Sequence, residues 1–517
     1  MTAMPDLDQA VAAASAALLR HQKPDGHWVF ELEADATIPA EYVLLVHYLA
    51  EEPNLELEKK IGVYLRRIQG KHDGWPLFHD GDFDMSASVK AYFALKMIGD
   101  DIDAPHMKRA REAIRSRGGA EESNVFTRVL LSLFGVTTWR AVPVMPVEIM
   151  LLPKWFPFHL SKVSYWARTV IAPLLVLQAL KPKARNPKGV GIDELFLQPP
   201  LTVGPKTKAP HQKWSWFLFF RGVDAILRLI EPHFPKGLRQ RAIDKAVEFV
   251  TERLNGEDGL GAIFPAMANS VMMYDVLEYP RQHPDYVIAR KSIDKLLVVH
   301  DDEAYCQPCV SPVWDTALVA HALLETKDAK AEAAVARGLE WLKPLQVLDV
   351  KGDWAEEKPD VRPGGWAFQY RNDYYPDLDD TAVVVMAMDR AQQRDQARHH
   401  CAVGRVAAVD AQAAPAARQA AGQQRIQPPR QVGVLPVEGP DRQRHPIHRA
   451  AGPTGLTMQR LGAPRSEPAV SLQHWRPWPA PSPSTWAAPQ PWWPSSPPTA
   501  ARRNCWSCTP TAVRIQP

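Results

Sequence analysis

Apolar residues recur at helical spacing through most of the first 390 residues. The stretches 43–49, 89–97, 125–134, 242–254 and 317–324 each set Val, Leu, Ile, Phe or Ala three and four positions apart. That spacing gathers them on one face of a helix. Gly- and Pro-bearing segments lie between them, as turns require. The strict alternation of a half-buried strand is never sustained. The pattern predicts an all-α protein whose helices come in pairs, as in α/α (toroid) barrels or a solenoid.

A longer repeat is laid over the helices. Leu18 to Gln22 is followed by Gly26-His27-Trp28, and Tyr64-Leu65 leads to Gln69 and then Gly74-Trp75. Arg337 to Leu342 leads to Gln346 and then Gly352-Asp353-Trp354. Each copy reads as a helix end, a Gln, a Gly turn and a Trp. Glycine frees the turn to take positive φ. Glutamine can bond the open backbone groups at a helix terminus, and tryptophan can stack over the turn. A weaker copy runs from Phe249 and Leu254 to Gly259-Leu260-Gly261, without the Gln and the Trp. Recurrence of this kind marks stacked helical units.

The helical text stops near Arg390. None of the 12 tyrosines or 16 phenylalanines, and no lysine, falls in 391–517. That part is built from Ala, Arg, Gln, Pro and Trp. The missing residues have A/T-rich codons and the abundant ones G/C-rich codons, so the tail reads as a G/C-rich gene in a shifted frame. A natural Pro-rich tail is the alternative. Runs such as 475–498 cannot form regular helices or ladders.

The remaining bulk properties narrow the class. A chain of 517 residues can bury more than one core. Hydrophobic residues at 46% and charged residues at 23% are those of a globular protein, and a net charge of +3 is too small to argue for nucleic acid. Five cysteines are too few for a disulfide scaffold and suggest a reducing compartment. The pairs Cys306/Cys309 and Cys505/Cys508 are too far apart for a compact zinc ribbon, so no metal is expected. No signal peptide is read at the start. No apolar run reaches the roughly 20 residues a spanning helix needs. The aromatic segment 214–220, between Lys213 and Arg221, suits either a membrane interface or a buried barrel helix.

The densest chemistry is Asp377-Leu378-Asp379-Asp380-Thr381. Like charges this close cannot all ionise cheaply, and an apolar, aromatic setting raises the cost. At least one carboxyl should keep its proton at neutral pH. Such an acid can protonate something as weakly basic as an alkene. An exposed acidic turn or a divalent-metal site is the plainer reading.

These residues together carry a resemblance. The Gln/Trp repeats, Asp-x-Asp-Asp-Thr-Ala at 377–382 and Ser311-Pro312-Val313-Trp314-Asp315-Thr316 resemble the squalene–hopene cyclases. So do Ala40 to Leu45, Val125-Phe126-Thr127-Arg128 and Trp166-Ala167-Arg168. The resemblance covers roughly residues 8–390. It implies two α/α barrels around a large apolar cavity, the second barrel incomplete here, and monotopic association with the cytoplasmic side of the inner membrane. It implies protonation-initiated cyclisation of squalene to hopene and hopanol, without metal or organic cofactor, and a homodimer as the candidate assembly. It divides the chain into an N-terminal segment 1–30 that packs with the second barrel, a first barrel 31–310, the start of a second barrel 311–390 and the atypical tail 391–517.

Carried over residue by residue, Asp379 matches the proton donor and Asp377 and Asp380 its tuning carboxylates. Glu41 matches a glutamate supporting the acid. Phe368, Trp314 and Trp166 match cavity aromatics that stabilise cations through their faces. Ile263-Phe264-Pro265 matches a loop lining the later rings. There Phe264 replaces a frequent Gln, which leaves the hopene to hopanol ratio open. Arg128 reads as a structural ion-pair residue. The histidine that activates the acid has no match, since His445 and His448 lie in the tail. Two other readings remain: a non-catalytic lipid-binding remnant of a cyclase, and another terpene cyclase of the Asp-x-Asp-Asp type.

Overall fold

The computed structural model describes residues 6–205, 212–326, 328–356 and 358–396. The tail segment 475–498, with His445, His448, Cys505 and Cys508, lies outside these residues.

In chain order the helices of the first region are α1 (Leu7–His21), α2 (Thr37–Tyr48), α3 (Leu55–Arg67), α4 (Met85–Ile98), α5 (Pro105–Ser116) and α6 (Val125–Leu133). They continue with α7 (Tyr165–Leu180), α8 (Trp214–Ile230), α9 (Lys236–Glu252), α10 (Phe264–Val276) and α11 (Pro284–Asp294). Then come α12 (Pro312–Leu324), α13 (Ala329–Leu342) and α14, helical over residues 378–396. The five predicted helical stretches fall on α2, α4, α6, α9 and α12.

The helices sort into two layers. In α2, α4, α7 and α10 most side chains are buried, whereas α3, α5, α9 and α11 bury one stripe each. A helix apolar all round belongs inside, and an amphipathic one covers it. The contacts agree. α10 packs on α7 and α2, α2 on α4, and α4 on α6, while α3, α5, α9 and α11 lie against these inner helices. This is the α/α barrel.

Two hydrophobic cores result. The first runs from Ala36 to Cys306, and the second joins α12, α13, Trp366 and Val384 of α14. Trp28 belongs to the second, so the N-terminal segment completes the core of a region distant in sequence.

Strand structure was not expected, yet β1 (Leu297–Val299) and β2 (Ala304–Cys306) form an antiparallel hairpin. Three-residue strands are too short to display alternation. α14 continues through 396, past Arg390 where the helical pattern of the sequence stops.

The repeat is a hydrogen-bonded device. Gln22 Nε2 donates to the carbonyl of Gly26 at 2.7 Å, and Trp28 Nε1 donates to the Leu18 carbonyl at 2.8 Å. Gln69 bonds the Asp73 carbonyl, and Trp75 Nε1 bonds the Leu65 carbonyl at 2.8 Å. The third copy corrects the sequence reading. Gln346 Nε2 bonds the Gly364 carbonyl at 2.7 Å and Trp366 Nε1 bonds the Leu342 carbonyl at 2.7 Å. Gly365-Trp366, and not Gly352-Asp353-Trp354, therefore completes this copy across an intervening excursion. In the weak copy Asn255 takes the Gln part, bonding the Gly259 carbonyl at 3.3 Å. Gly261 stands where the Trp would be, with Thr169 so close that an added Cβ would lie 2.8 Å from its hydroxyl.

Candidate active site

The same repeat frame places the acidic cluster. Asp84 N donates to the Trp75 carbonyl and Asp377 N to the Trp366 carbonyl, both at 3.0 Å. Ser88 and Thr381, four residues on, accept from the backbone N–H of Trp75 and Trp366 at 2.9 and 3.0 Å. Asp84 Oδ1 accepts from Ala87 N, and Asp377 Oδ1 from Asp380 N, both at 2.8 Å. Asp377 is thus an N-cap, as Asp84 is in the first barrel. What the second copy adds is Asp379 and Asp380, where the first has Ser86 and Ala87.

Burial separates the two added carboxylates. Asp380 is 2% exposed, Asp379 is exposed, and Leu378 beside them is 87% exposed. Burial, then a hydrogen bond to Asp377 and the charges of Asp377 and Asp379, pushes the Asp380 carboxyl up to about 8. These effects outweigh the ~1 kcal/mol by which a helix N-terminus favours an anion. Asp380 is therefore neutral at pH 7. Its Oδ1 is buried and has no hydrogen-bond partner among the described residues.

The other candidates lie on other elements. Trp166, half-buried on α7, meets Tyr375 edge-on with ring centres 5.3 Å apart. Phe368 is half-buried on the loop before the acid. Trp314 is half-buried in the first turn of α12, two residues before Thr316, whose Oγ1 accepts from Trp28 N at 2.9 Å. Phe264 is fully enclosed in the first core, and its N–H donates to the Pro308 carbonyl at 2.8 Å. Ile263 and Pro265 are half-buried beside it. Glu41, on α2, pairs with the buried ammonium of Lys90 at 2.5 Å. Its recorded partner is thus a cation and not one of the three aspartates.

Some expectations change. Arg128 is buried, but its guanidinium bonds the backbone carbonyls of Glu121, Ala141 and Gly204 where an ion pair was expected. His321 of α12 reaches α14 at the Val383 carbonyl, 3.1 Å away, and not at a carboxylate. Cys306 and Cys309 are free thiols, and burial raises both. Among the described residues no three His, Cys, Asp or Glu side chains are placed to hold a metal ion. A cleft of about 1180 Å³ lies beside the N-terminal segment, but none of the predicted site residues lines it. Its walls carry Glu31, Glu33, Arg67, Asp301 and Glu303, the wrong chemistry for a hydrocarbon.

Sequence reasoning missed the groups that hold the acid loop: Tyr165, Asn255, Asn372, Arg253 and Asp353. Arg168 and Asp353 stood in quoted motifs, but neither for this role. Single polar residues have no spacing signal, and their importance lies in burial.

An α/α barrel protein with a buried carboxyl held above its ordinary range at a helix start has the makings of a Brønsted-acid enzyme. Comparison with known proteins agrees. Residues 11–302 match the squalene-hopene cyclase N-terminal domain, and residues 310–414 match the C-terminal domain. The chain belongs to the squalene–hopene cyclase family. The squalene–hopene cyclase of Bradyrhizobium diazoefficiens is 67% identical over 404 residues, covering 78% of this chain and 60% of that protein. That of Zymomonas mobilis is 61% identical over 399 residues, covering 76% and 60%. That of Alicyclobacillus acidocaldarius is 34% identical over 398 residues, covering 77% and 61%. The chain thus spans about 60% of the length of these relatives. A solved type II terpene cyclase from Scytonema aligns over 74% of this chain and 97% of its own, at 15% identity and a TM-score of 0.16, too low to bear on the fold.

Proposed function

We propose that the protein cyclises squalene to hopene and hopanol by protonating its terminal double bond. The observation that carries this reading is the buried Asp380 at the start of α14, its carboxyl pushed up by burial and by the neighbouring Asp377 and Asp379. Squalene has no polar handle, so only an acid already carrying its proton can begin the reaction. In this reading Asp379 is the donor at the exposed end of the cluster. Asp380 holds a proton behind it, and Asp377 caps the helix and accepts from Asp380. Trp166, Trp314 and Phe368 offer faces to the migrating cation. Ile263, Phe264 and Pro265 shape the far end, and Glu41 acts from the α2 wall.

We further propose the domain division 1–30, 31–310, 311–390 and 391–517, the tail read as out of frame. The chain would act as a homodimer on the cytoplasmic face of the inner membrane, drawing squalene from lipid. The exposed aromatic face of α8 supports the membrane part.

The test is incubation of the protein with its reading frame restored after Arg390, with squalene and EDTA, and products identified by mass. Pentacyclic product is expected, and Asp379→Asn should lower it by at least about 100-fold, the scale of losing a general acid. A strict Mg²⁺ requirement, or an Asp379→Asn variant within a few-fold of the parent, would sink the reading.

A further inference from the structure

Residues 366–377 form a loop closed at its base by the Trp366–Asp377 bridge. Its tip reaches the first barrel. Asn372, 1% exposed, accepts at Oδ1 from the Tyr165 hydroxyl at 2.7 Å and from Asn255 Nδ2 at 3.2 Å. Its Nδ2 donates to Gln369 Oε1 at 3.3 Å. The Tyr375 ring lies parallel to the Tyr165 ring, with centres 4.5 Å apart and planes 6° apart. Beside them the buried Asp353 takes ion pairs from Arg168 at 3.1 Å and Arg253 at 2.9 Å, and its N–H donates to the Tyr374 carbonyl at 2.9 Å. The Arg253 guanidinium sits 4.6 Å above the Tyr374 ring.

A plain surface connection needs none of this. Burying amides and a phenol is costly unless each is bonded. Here the bonds of Tyr165 and Asn255 run from the first barrel to Asn372, five residues before Asp377. Reacting groups, in turn, must be held to a fraction of an ångström by a locked supporting layer.

We infer that Tyr165 and Asn372 are positioning residues for the acid: their hydrogen bond, with Tyr375 stacked on Tyr165, fixes Asp377, Asp379 and Asp380 relative to the first barrel. The inference rests on the function proposed above. Neither residue donates a proton to substrate. Burial, then the charge of Asp377 and more weakly that of Asp379, raises the Tyr375 phenol, which sets this ring within electrostatic reach of both carboxylates.

Tyr165→Phe deletes one oxygen and leaves the stack. Hydrogen exchange of the full chain should then quicken about ten-fold over 366–380, the effect of losing one buried hydrogen bond, while α12 and α13 stay unchanged. Asn372→Leu should do the same. The double variant should add little to Asn372→Leu, which already removes the Tyr165 bond together with those to Asn255 and Gln369. Asn372→Asp keeps the acceptor and should restore most of the protection. With squalene, kcat should fall about ten-fold with KM within two-fold, since an interaction that acts on the acid alone shows in kcat. Unchanged exchange over 366–380 in Tyr165→Phe, quickening spread evenly over the chain, or an unchanged kcat would each overturn the inference. If the parent makes no product while the exchange effect stays confined to 366–380, the tether stands and the proposed function falls.

Discussion

At the scale of the residue, the acidic cluster divides its labour by exposure. The carboxyl of Asp380 ionises near 8, against an ordinary value of 3.8. The unfolded chain loses this proton near pH 4, and the folded chain keeps it to about pH 8. Folding therefore binds a proton throughout that window, and stability falls as pH rises through it. The melting temperature should drop between pH 6 and 8 by the equivalent of about 1–3 kcal/mol, and Asp380→Asn should flatten the slope. Asp315, which burial pushes up to about 6, contributes the same sign at lower pH, so Asp315→Asn should leave the slope above pH 6 intact. Parallel curves for the parent and Asp380→Asn would contradict the assignment. The three carboxylates were legible as a cluster that must retain a proton. Which one retains it was not, because Asp379 and Asp380 are chemically alike and only the helix turn buries one and exposes the other.

At the scale of the element, the repeat shows how far spacing can be read. Two copies were legible because Gln, Gly and Trp follow one another closely, at 22, 26 and 28 and at 69, 74 and 75. In the third the chain runs from Gln346 out through residues 347–363 before Gly364 returns to meet it. The sequence offers two Gly and Trp sets there, and the nearer one is not the partner. The fourth copy hides its Gln as Asn255. Three-residue strands and single buried amides leave no periodic trace, so the hairpin and the Asn372 cluster stayed invisible. The corrected register has a measurable consequence. Trp366→Phe leaves the buried Leu342 carbonyl without its donor and should cost about 1–3 kcal/mol in chemical denaturation. Trp354 donates only to the Val361 carbonyl at 3.3 Å in an exposed setting, so Trp354→Phe should cost under about 0.5 kcal/mol. The reverse order would restore the original register.

At the scale of the whole molecule, the outstanding feature is a helix turned inside out. α8 has no buried residue. Two polar contacts tie it to the body: Asp224 accepts from Val144 N at 2.9 Å, and Arg228 donates to the Val142 carbonyl at 2.7 Å. Its outward face carries Trp214, Trp216, Leu218, Phe219, Phe220, Ile226 and Leu229, all exposed. Trp155, 79% exposed, and Phe158, whose ring lies 6.3 Å from that of Phe220, extend the patch. A water-facing helix would have the opposite arrangement, and a contiguous apolar patch marks an interaction surface. No described helix is long and apolar enough to cross a membrane, so a lipid partner would be met by lying in its surface, with Lys213 and Arg221 at the headgroups. The full chain should therefore sediment with phosphatidylglycerol vesicles and stay bound in about 1 M salt, where charges are screened within roughly 3 Å. Trp216→Glu with Phe219→Glu should cut binding at least about ten-fold, since each side chain is worth roughly 1.5–3 kcal/mol when buried. Release by salt alone would instead assign the contact to the flanking cations and leave the apolar face without a role in membrane binding.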